Sequence, residues 1–232
     1  MLPYVVPMLA FLLVLQLEGV APADFALLLY VLRVVAPVGA LAYFWSQGCY
    51  RELRLKLSWM TVSDLLVGVA LAAMWILPYV LFPQLRPSGA DAEFDPTMFG
   101  VAWVSWVLAL RMIGYAMVTP VMEELFMRSF VMRYADVYDG DQDFRKLPLA
   151  RFTWRSFIVV VVVFMGTHMM WEWWVMLPWA VLTNLWFYYR KDLFAIIVVH
   201  AATNASILLA AIFASDLFSD GVGGKLSLWF LV

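Results

Sequence analysis

Long apolar runs separated by short polar segments make up most of the chain, starting from its first residues. Crossing a bilayer as a helix takes about 17–25 apolar residues, because backbone groups cannot stay unpaired in lipid. Seven segments fit, the fifth and sixth being short: 2–20, 24–46, 60–82, 98–119 with a continuation to 133, 156–171, 174–189 and 193–214. The pattern predicts an all-α, polytopic transmembrane bundle of about seven to eight helices.

The fourth apolar segment is too long for a simple span. As one straight helix, residues 98–133 would measure about 52 Å, against a hydrocarbon core of about 30 Å. We therefore expect strong tilt, protrusion into the cytoplasm, or a break at Thr119-Pro120, since proline interrupts the helical hydrogen bonds. The C-terminal stretch 225–232 is too short to span and is expected at the interface or packed on the bundle.

Composition narrows the class of protein. Of 232 residues, 65% are apolar and 14% are charged. In soluble domains about 45–50% of the residues are apolar and about 25% are charged. This excludes an ordinary soluble enzyme, a disordered chain and a nucleic-acid binder. We expect one domain over 1–232, with N-terminal spans in 1–97 and the candidate chemistry in core spans 98–214. The single cysteine, Cys49, can form neither an internal disulfide nor a cysteine zinc site.

The charges predict an orientation, because short cytoplasmic loops carry an excess of Lys and Arg. Three loops are basic, and the loops that alternate with them are acidic. The basic positions are Arg51, Arg54, Lys56, Arg133, Arg145, Lys146, Arg151, Arg155, Arg190 and Lys191; the acidic ones are Asp91, Glu93, Asp95, Asp216 and Asp220. Seven spans then place the N-terminus in the cytoplasm and the C-terminus outside.

Two adjacent carboxylates stand inside the fourth span. An ionisable group at bilayer depth costs several kcal/mol unless it is paired or lines a wet cavity, so it indicates function. Glu124 and Arg128 are i,i+4 neighbours that can pair on a helix, while Glu123 is turned about 100° away. We therefore expect one braced carboxylate beside one that is free for another partner.

The only two histidines of the chain, His168 and His200, also lie within predicted spans. His200 and Asn204 are i,i+4 and share a helix face. At about 1.5 Å per residue from the nearest cytoplasmic charge, Glu123, His168 and His200 all lie roughly 14–20 Å deep. A shared depth favours a joint site that is accessible from the cytoplasm.

These groups could hydrolyse a carbonyl compound with activated water. Glu123 with His168 could take a proton from water, and His200 with Asn204 could donate hydrogen bonds to the oxyanion. A zinc site made by Glu123, His168 and His200 is the alternative, although no H-E-x-x-H motif is present. A buried polar clamp in a non-catalytic immunity, scaffold or transport protein also stays open.

The other polar residues in the spans receive lesser roles. Asp64 and Asp192 are expected to act as helix-terminal caps. Arg33 and Arg111 have no assigned role, and Arg111 lies about 18 Å along the helix from Glu123, too far to pair with it. Ser129 lacks an evident base, and the tryptophans are expected to pack in the core or face lipid.

The motifs E-E-x-x-x-R, F-x-x-x-H and H-x-x-x-N occur in this order on consecutive membrane elements, within residues 120–204. This set resembles the CPBP family of intramembrane proteases, which includes CAAX prenyl endopeptidases of the Ras-converting-enzyme type. The resemblance implies an all-helical membrane fold with a cavity open to the cytoplasm. It implies Glu123 as the water-activating carboxylate with His168, Glu124 and Arg128 as its brace, and His200 with Asn204 as the oxyanion site, in a mechanism without metal.

Some positions depart from the family pattern. Ser129 replaces a common glycine, Met127 a frequent aromatic residue, and 191–194 the usual small-polar, Leu-Trp pattern. Size and aromatic content also resemble the CAAX-protease-related proteins of bacterial exosortase systems. We expect a bacterial inner-membrane endopeptidase that cuts a peptide near the cytoplasmic surface. Its partners would be a lipidated or membrane-anchored peptide or protein substrate and membrane lipid, with no nucleic acid and no cofactor, zinc being the alternative.

Overall fold

Helices make up nearly all of the regular structure in the computed structural model, which describes residues 1–87, 93–221 and 223–232. Within these ranges the helices are α1 (Leu2–Glu18), α2 (Ala26–Ser46), α3 (Met60–Leu81), α4 (Val101–Tyr134), α5 (Trp154–Gly166), α6 (Trp173–Arg190) and α7 (Leu193–Phe213). One isolated bridge joins Ser219 and Lys225. The all-α prediction is confirmed. Asp91 lies outside the described residues.

The number of helices that can cross a membrane is smaller than the sequence pattern predicts. In the described part of the chain, four segments are long and apolar enough: Ala23–Ser46, Met60–Leu81, Val101–Tyr134 and Leu193–Phe213. Helix α1 has 17 residues and α5 only 13. Helix α5 ends at Gly166 because the chain turns there, before the predicted end of the span at residue 171. The expected seven spans are therefore not confirmed by length and composition.

Helix α4 runs without a break through Thr119-Pro120, so one of the three alternatives expected for this long segment, the break, is wrong. Two π-helical segments, Gly114–Val118 and Leu125–Val131, lie within it. In the first of these, the Thr119 N–H donates to the carbonyl of Gly114. In this wider turn the backbone hydrogen bonds join residues five apart instead of four. The shift occurs next to Pro120, which has no N–H to donate, and the helix therefore continues past it.

Helices α3 and α7 pack most extensively against each other, followed by α1 against α2. The buried residues of α3 recur at helical spacing along one face: Asp64, Gly68, Leu71, Ala72, Trp75 and Tyr79. A Cβ atom on Gly68 would stand 2.5 Å from the Ala202 Cβ and the Val199 carbonyl oxygen. The hydroxyl of Thr203 donates to the Gly68 carbonyl at 3.1 Å. Glycine thus allows the closest approach of α7, which carries His200.

The basic end of the bundle contains a bidentate ion pair. Both oxygens of Asp64 accept from Arg190, at 2.8 and 2.9 Å, and the indole N–H of Trp186 donates to the same carboxylate at 2.9 Å. The expectation that Asp64 caps its helix is wrong, since its carboxylate joins α3 to α6. Asp192 does cap α7, accepting from the Phe194 N–H at 2.9 Å, as predicted.

A second polar cluster at this end surrounds Glu52, which lies in the connection after α2. Its carboxylate accepts from the Tyr4 hydroxyl at 2.7 Å and from Arg133 at 3.0 Å, and also from the Ser129 hydroxyl. Ser129 is fully buried. Through Glu52, the Ser129 hydroxyl connects α4 with α1 and the loop that follows α2.

The C-terminal segment 225–232 packs on the bundle, which confirms one of the two expected placements. Leu226, Leu228 and Leu231 are buried. The ring of Phe230 lies 5.7 Å from the ring of Tyr79 and 6.0 Å from that of Trp171. This segment covers the end of the bundle opposite to the basic loops.

Candidate active site

Helix α4 contributes an ion pair that is sealed from solvent. Glu124 and Arg128 are both fully buried, and the Glu124 Oε2 atom lies 3.5 Å from the Arg128 Nε atom, as the i,i+4 spacing predicts. Arg128 also donates to the Thr183 hydroxyl on α6 at 2.9 Å, and its guanidinium lies 4.6 Å from the centre of the Phe164 ring on α5. The pair therefore fixes α4 to two other helices.

His200 contacts both carboxylates of α4. Its Nδ1 atom lies 2.9 Å from Glu124 Oε1, and its Nε2 atom lies 3.8 Å from Glu123 Oε2. The ring of Trp179 packs against the imidazole, with the ring centres 4.8 Å apart. Sequence reasoning paired Glu123 with His168, whereas the structure brings His200 between the two glutamates.

The contact with Glu124 determines what His200 can do. An ionised carboxylate only accepts hydrogen bonds, so Nδ1 carries a hydrogen in this arrangement. A neutral His200 then has its lone pair on Nε2 and acts as a base, while a protonated ring donates from Nε2. The oxyanion role predicted for His200 requires the protonated ring.

His168 follows the end of α5 and is half-buried. Its Nδ1 atom lies 2.9 Å from the Phe164 carbonyl oxygen, and its ring lies 5.9 Å from that of Trp75. The carbonyl can only accept, so Nδ1 is the donor and a neutral ring leaves Nε2 as an acceptor. Among the described residues, no hydrogen bond or ion pair joins His168 to Glu123, although both line one cavity.

Asn204 lies on the same face of α7 as His200, as the spacing predicts. Its side-chain N–H₂ group donates to the Tyr115 carbonyl at 2.8 Å. That carbonyl lies in the π-helical segment of α4, where Thr119 donates to Gly114 and Pro120 has no N–H to donate. Asn204 thus satisfies a carbonyl that the helix leaves unpaired, and its second amide hydrogen remains available.

A cavity of about 160 Å³ brings these groups together. Glu123, 9% exposed, lines it, while Glu124 and Arg128 lie behind the wall. The cavity is lined by Trp75, Tyr115, Thr119, Glu123, Phe164, His168, Glu172, Met176, Trp179, His200, Thr203, Asn204, Ile207, Phe230, Leu231 and Val232. Of the adjacent glutamates, Glu123 is the one that can reach a ligand here.

The cavity extends from Glu123 away from the basic loops. On the basic side, fully buried side chains close the bundle, among them Met127, Phe187 and Ile196. On the other side, the wall includes Glu172 and the C-terminal residues 230–232. A cavity open to the basic, predicted cytoplasmic end is therefore not confirmed.

Sequence reasoning missed several residues of the cavity wall. The indole N–H groups of Trp75 and Trp179 are buried without a hydrogen-bond partner among the described residues. Glu172 accepts from the Met169 N–H at 2.8 Å and also lines the cavity. Tryptophan is common in membrane helices, so the sequence offers no signal that separates these two from the ten others.

The residues proposed as a zinc set do not form a recognisable metal site. Over residues 1–87, 93–221 and 223–232, no group of three or more His, Cys, Asp or Glu side chains is arranged to hold a metal ion. The geometry gives the zinc alternative no support.

Comparison with known proteins connects this geometry to a family. Residues 104–206 match the family model described as type II CAAX prenyl endopeptidase Rce1-like. This match includes the three motifs on α4, α5 and α7. The match over this segment supports membership of the CPBP family. No curated protein and no solved structure matches significantly.

The Rce1-like match supports a hydrolase of the CAAX protease type, and together with the apolar helices it supports an integral membrane protein. The matched region begins within α4 and ends within α7. It therefore contains Glu123, His168, His200 and Asn204, and it leaves α1 to α3 outside. Trp75, on α3, is a cavity residue that lies outside the family match.

Proposed function

We propose that this protein is an intramembrane endopeptidase in which Glu123 activates a water molecule against a peptide bond. The observation that carries the proposal is the position of Glu123, a nearly buried carboxylate in the wall of a cavity that His168, His200 and Asn204 also line. A carboxylate so placed is available as a general base, while Glu124 and Arg128 hold each other behind it.

In the proposed reaction, Glu123 takes a proton from water as the oxygen attacks the carbonyl carbon of the substrate. The free Nε2 atom of His168 helps to orient that water as a hydrogen-bond acceptor. The resulting tetrahedral oxyanion is stabilised by the second amide hydrogen of Asn204 and by His200 in its protonated form. The carbon–nitrogen bond then breaks, and the proton held by Glu123 passes to the leaving amine.

We propose a peptide or protein substrate that is membrane-anchored or lipidated, because the reacting groups lie inside the bundle. The asymmetry of the basic loops supports a cytoplasmic N-terminus, and a bacterial inner membrane is the proposed location. The cavity extends away from the basic end. This geometry favours substrate entry from the bilayer or the opposite side over the cytoplasmic entry expected from sequence.

A structural clamp is the second candidate function. The contacts of Arg128 and Glu124 join four helices through Thr183, Phe164 and His200. A non-catalytic membrane scaffold or immunity protein could use the same network to hold its bundle together. The clamp requires these groups for stability, whereas the protease requires Glu123 for turnover.

The test is peptide hydrolysis in water enriched in oxygen-18. Purified protein in lipid nanodiscs is incubated with a library of apolar peptides, and new C-termini are identified by mass spectrometry. We expect one oxygen-18 atom in each new carboxylate with wild type and with Asp139→Asn, a control at an exposed surface pair with Arg155. Glu123→Gln should lose cleavage by at least about 100-fold while its melting temperature is unchanged or higher. Two results would favour the clamp. One is that Glu123→Gln cleaves as fast as wild type; the other is that wild type cleaves nothing and Glu123→Gln fails to fold.

A further inference from the structure

Arg111 is a cation inside α4 that has no anionic partner among the described residues. It makes no ion pair or hydrogen bond with any of them, and its Nε atom is buried without a partner. Its guanidinium lies 4.8 Å from the centre of the Phe94 ring and 5.3 Å from that of Tyr115. The two rings stabilise the guanidinium by cation–π contacts, and its N–H groups have no hydrogen-bond acceptor among the described residues.

Such an arrangement is costly in a membrane helix. A charged side chain at bilayer depth usually pairs, reaches the interface or lines a wet cavity, and its presence indicates function. The neighbouring Arg33 follows the ordinary rule, since it is paired with Glu18 at 2.8 Å. Arg111 also lines a cavity with Glu18 and Glu93, but neither carboxylate lies within ion-pair distance of its guanidinium.

Arg111 and Glu123 line the same cavity, of about 270 Å³, which runs along α4 between that helix, α1 and α2. This cavity shares Tyr115, Thr119 and His168, as well as Glu123, with the wall of the catalytic cavity. The π-helical segment Gly114–Val118 lies between the two charged residues, and such segments are frequent at functional sites. One molecule can thus reach both charges.

The spacing indicates which part of that molecule Arg111 meets. Twelve residues of helix separate Arg111 from Glu123, or about 18 Å along the axis. An extended peptide covers about 3.3–3.6 Å per residue. The distance therefore corresponds to about five residues from the bond that Glu123 acts on.

We propose that Arg111 is a specificity-determining residue that binds a carboxylate of the peptide substrate about five residues from the scissile bond. This inference rests on the proposed function, because it places the anion on the molecule that Glu123 cleaves. A guanidinium edge matches a carboxylate by two parallel hydrogen bonds. The carboxylate belongs either to the C-terminus of the peptide or to an acidic side chain, and both can accept these two hydrogen bonds.

The test measures binding and needs no turnover. All proteins carry Glu123→Gln and are held in phosphatidylcholine nanodiscs. Three apolar pentapeptide probes differ only in charge: a free C-terminal carboxylate, a C-terminal amide, and an amide with one internal glutamate. We expect at least one of the two anionic probes to bind about tenfold more tightly than the neutral amide, and the tighter of the two identifies the source of the carboxylate.

Adding Arg111→Gln should reduce this preference to less than twofold. Arg155→Gln is the matched control, because it removes an arginine whose partner, Asp139, lies on the predicted cytoplasmic face. It should keep the preference, and Arg111→Lys should keep part of it because the charge remains. Loss of an unpaired buried cation should leave the melting temperature unchanged or higher, so weaker binding in Arg111→Gln would not reflect unfolding.

Equal binding of all three probes, or a preference that survives Arg111→Gln, would overturn the inference. An Arg111-dependent affinity for short-chain phosphatidylglycerol without any preference among the peptides would also overturn it, since the anion would then be a lipid phosphate. If the preference is found and no peptide is cleaved by wild type, the subsite stands and the proposed function fails. If cleavage is found without the preference, only the subsite fails.

Discussion

The Nδ1 atom of His200 lies 2.9 Å from the Oε1 atom of Glu124, so the second glutamate of the pair orients a histidine that is distant in sequence. Glu124 also faces Arg128 through its other oxygen. The carboxylate thus has one partner on its own helix and one on α7. Substitutions of Glu124 and Arg128 can therefore separate the effect of this carboxylate on stability from its effect on cleavage.

Glu124→Gln should lower both stability and cleavage. Arg128 would keep its buried charge without a carboxylate, which costs about 3–5 kcal/mol in the free energy of unfolding. His200 would face a neutral amide oxygen in place of a carboxylate, which stabilises the protonated imidazole less, and the cleavage rate should fall by at least about tenfold. Thermal unfolding and peptide cleavage measure the two effects.

The double variant Glu124→Gln/Arg128→Met provides the control for this prediction. Removing both charges of a buried pair is often neutral for stability, so the melting temperature should recover. Cleavage should stay low, because the protonated His200 still lacks the negative charge of Glu124. Recovery of both quantities would mean that Glu124 has no role beyond neutralising Arg128.

Gly68→Ala should destabilise the packing of α3 against α7. The added methyl group would stand 2.5 Å from the Ala202 Cβ and the Val199 carbonyl oxygen, and overpacking of this kind costs about 1–3 kcal/mol. Because Val199 precedes His200, cleavage should fall as well. Gly39→Ala is the matched control, since its Cβ meets nothing within 4 Å, and it should stabilise α2 by about 0.5–1 kcal/mol. Similar melting temperatures for the two variants would argue against the close contact.

Asp64→Asn should weaken the bundle and leave the chemistry intact. Asp64 is 1% exposed and Arg190 is partly exposed, so we expect a loss of about 2–3 kcal/mol, below the roughly 3–5 kcal/mol of a fully buried pair. Neither residue lines the cavity that contains Glu123. Cleavage per folded molecule, measured below the melting temperature of the variant, should equal that of wild type, and a selective loss of turnover would contradict this view.

Ser129→Ala and Ser129→Gly test the departure from the family motif. Ser129→Ala removes the hydroxyl that Glu52 and Arg133 share, at a cost of about 1 kcal/mol. Ser129→Gly, which restores the common family residue, should cost about 1 kcal/mol more because glycine is a poor helix former. Equal stability of wild type and Ser129→Gly would show that this cluster contributes little.

Local patterns predicted the parts of the fold that depend on neighbours in sequence. Apolar runs predicted the positions of α2, α3 and α7 to within a few residues. The i,i+4 rule predicted the pair of Glu124 with Arg128 and the shared face of His200 and Asn204. Each of these relationships is fixed by helix geometry alone, so the sequence contains it.

Relationships between helices could not be predicted in this way. His200 bonds to Glu124 across 76 positions of sequence, and helix periodicity has no means of choosing between His168 and His200 as the partner. The continuity of α4 through Pro120 depends on a π-helical turn, which has no simple apolar signature. The role of Asp64 depends on Arg190, which reaches it only after α3 and α6 have packed.

The fully buried pair of Glu124 and Arg128 also has a consequence for how the protein is made. Arg128 leaves the ribosome 55 residues before Thr183, and Glu124 leaves it 76 residues before His200. During that interval, α4 enters the membrane with each charged group able to satisfy only the other, while Glu123 has no opposite charge beside it. Insertion of α4 should therefore be completed late, with the helix kept beside the insertion machinery until α7 emerges. Ribosome-stalled chains that end before residue 193 should release α4 into lipid less readily than chains that extend beyond residue 213.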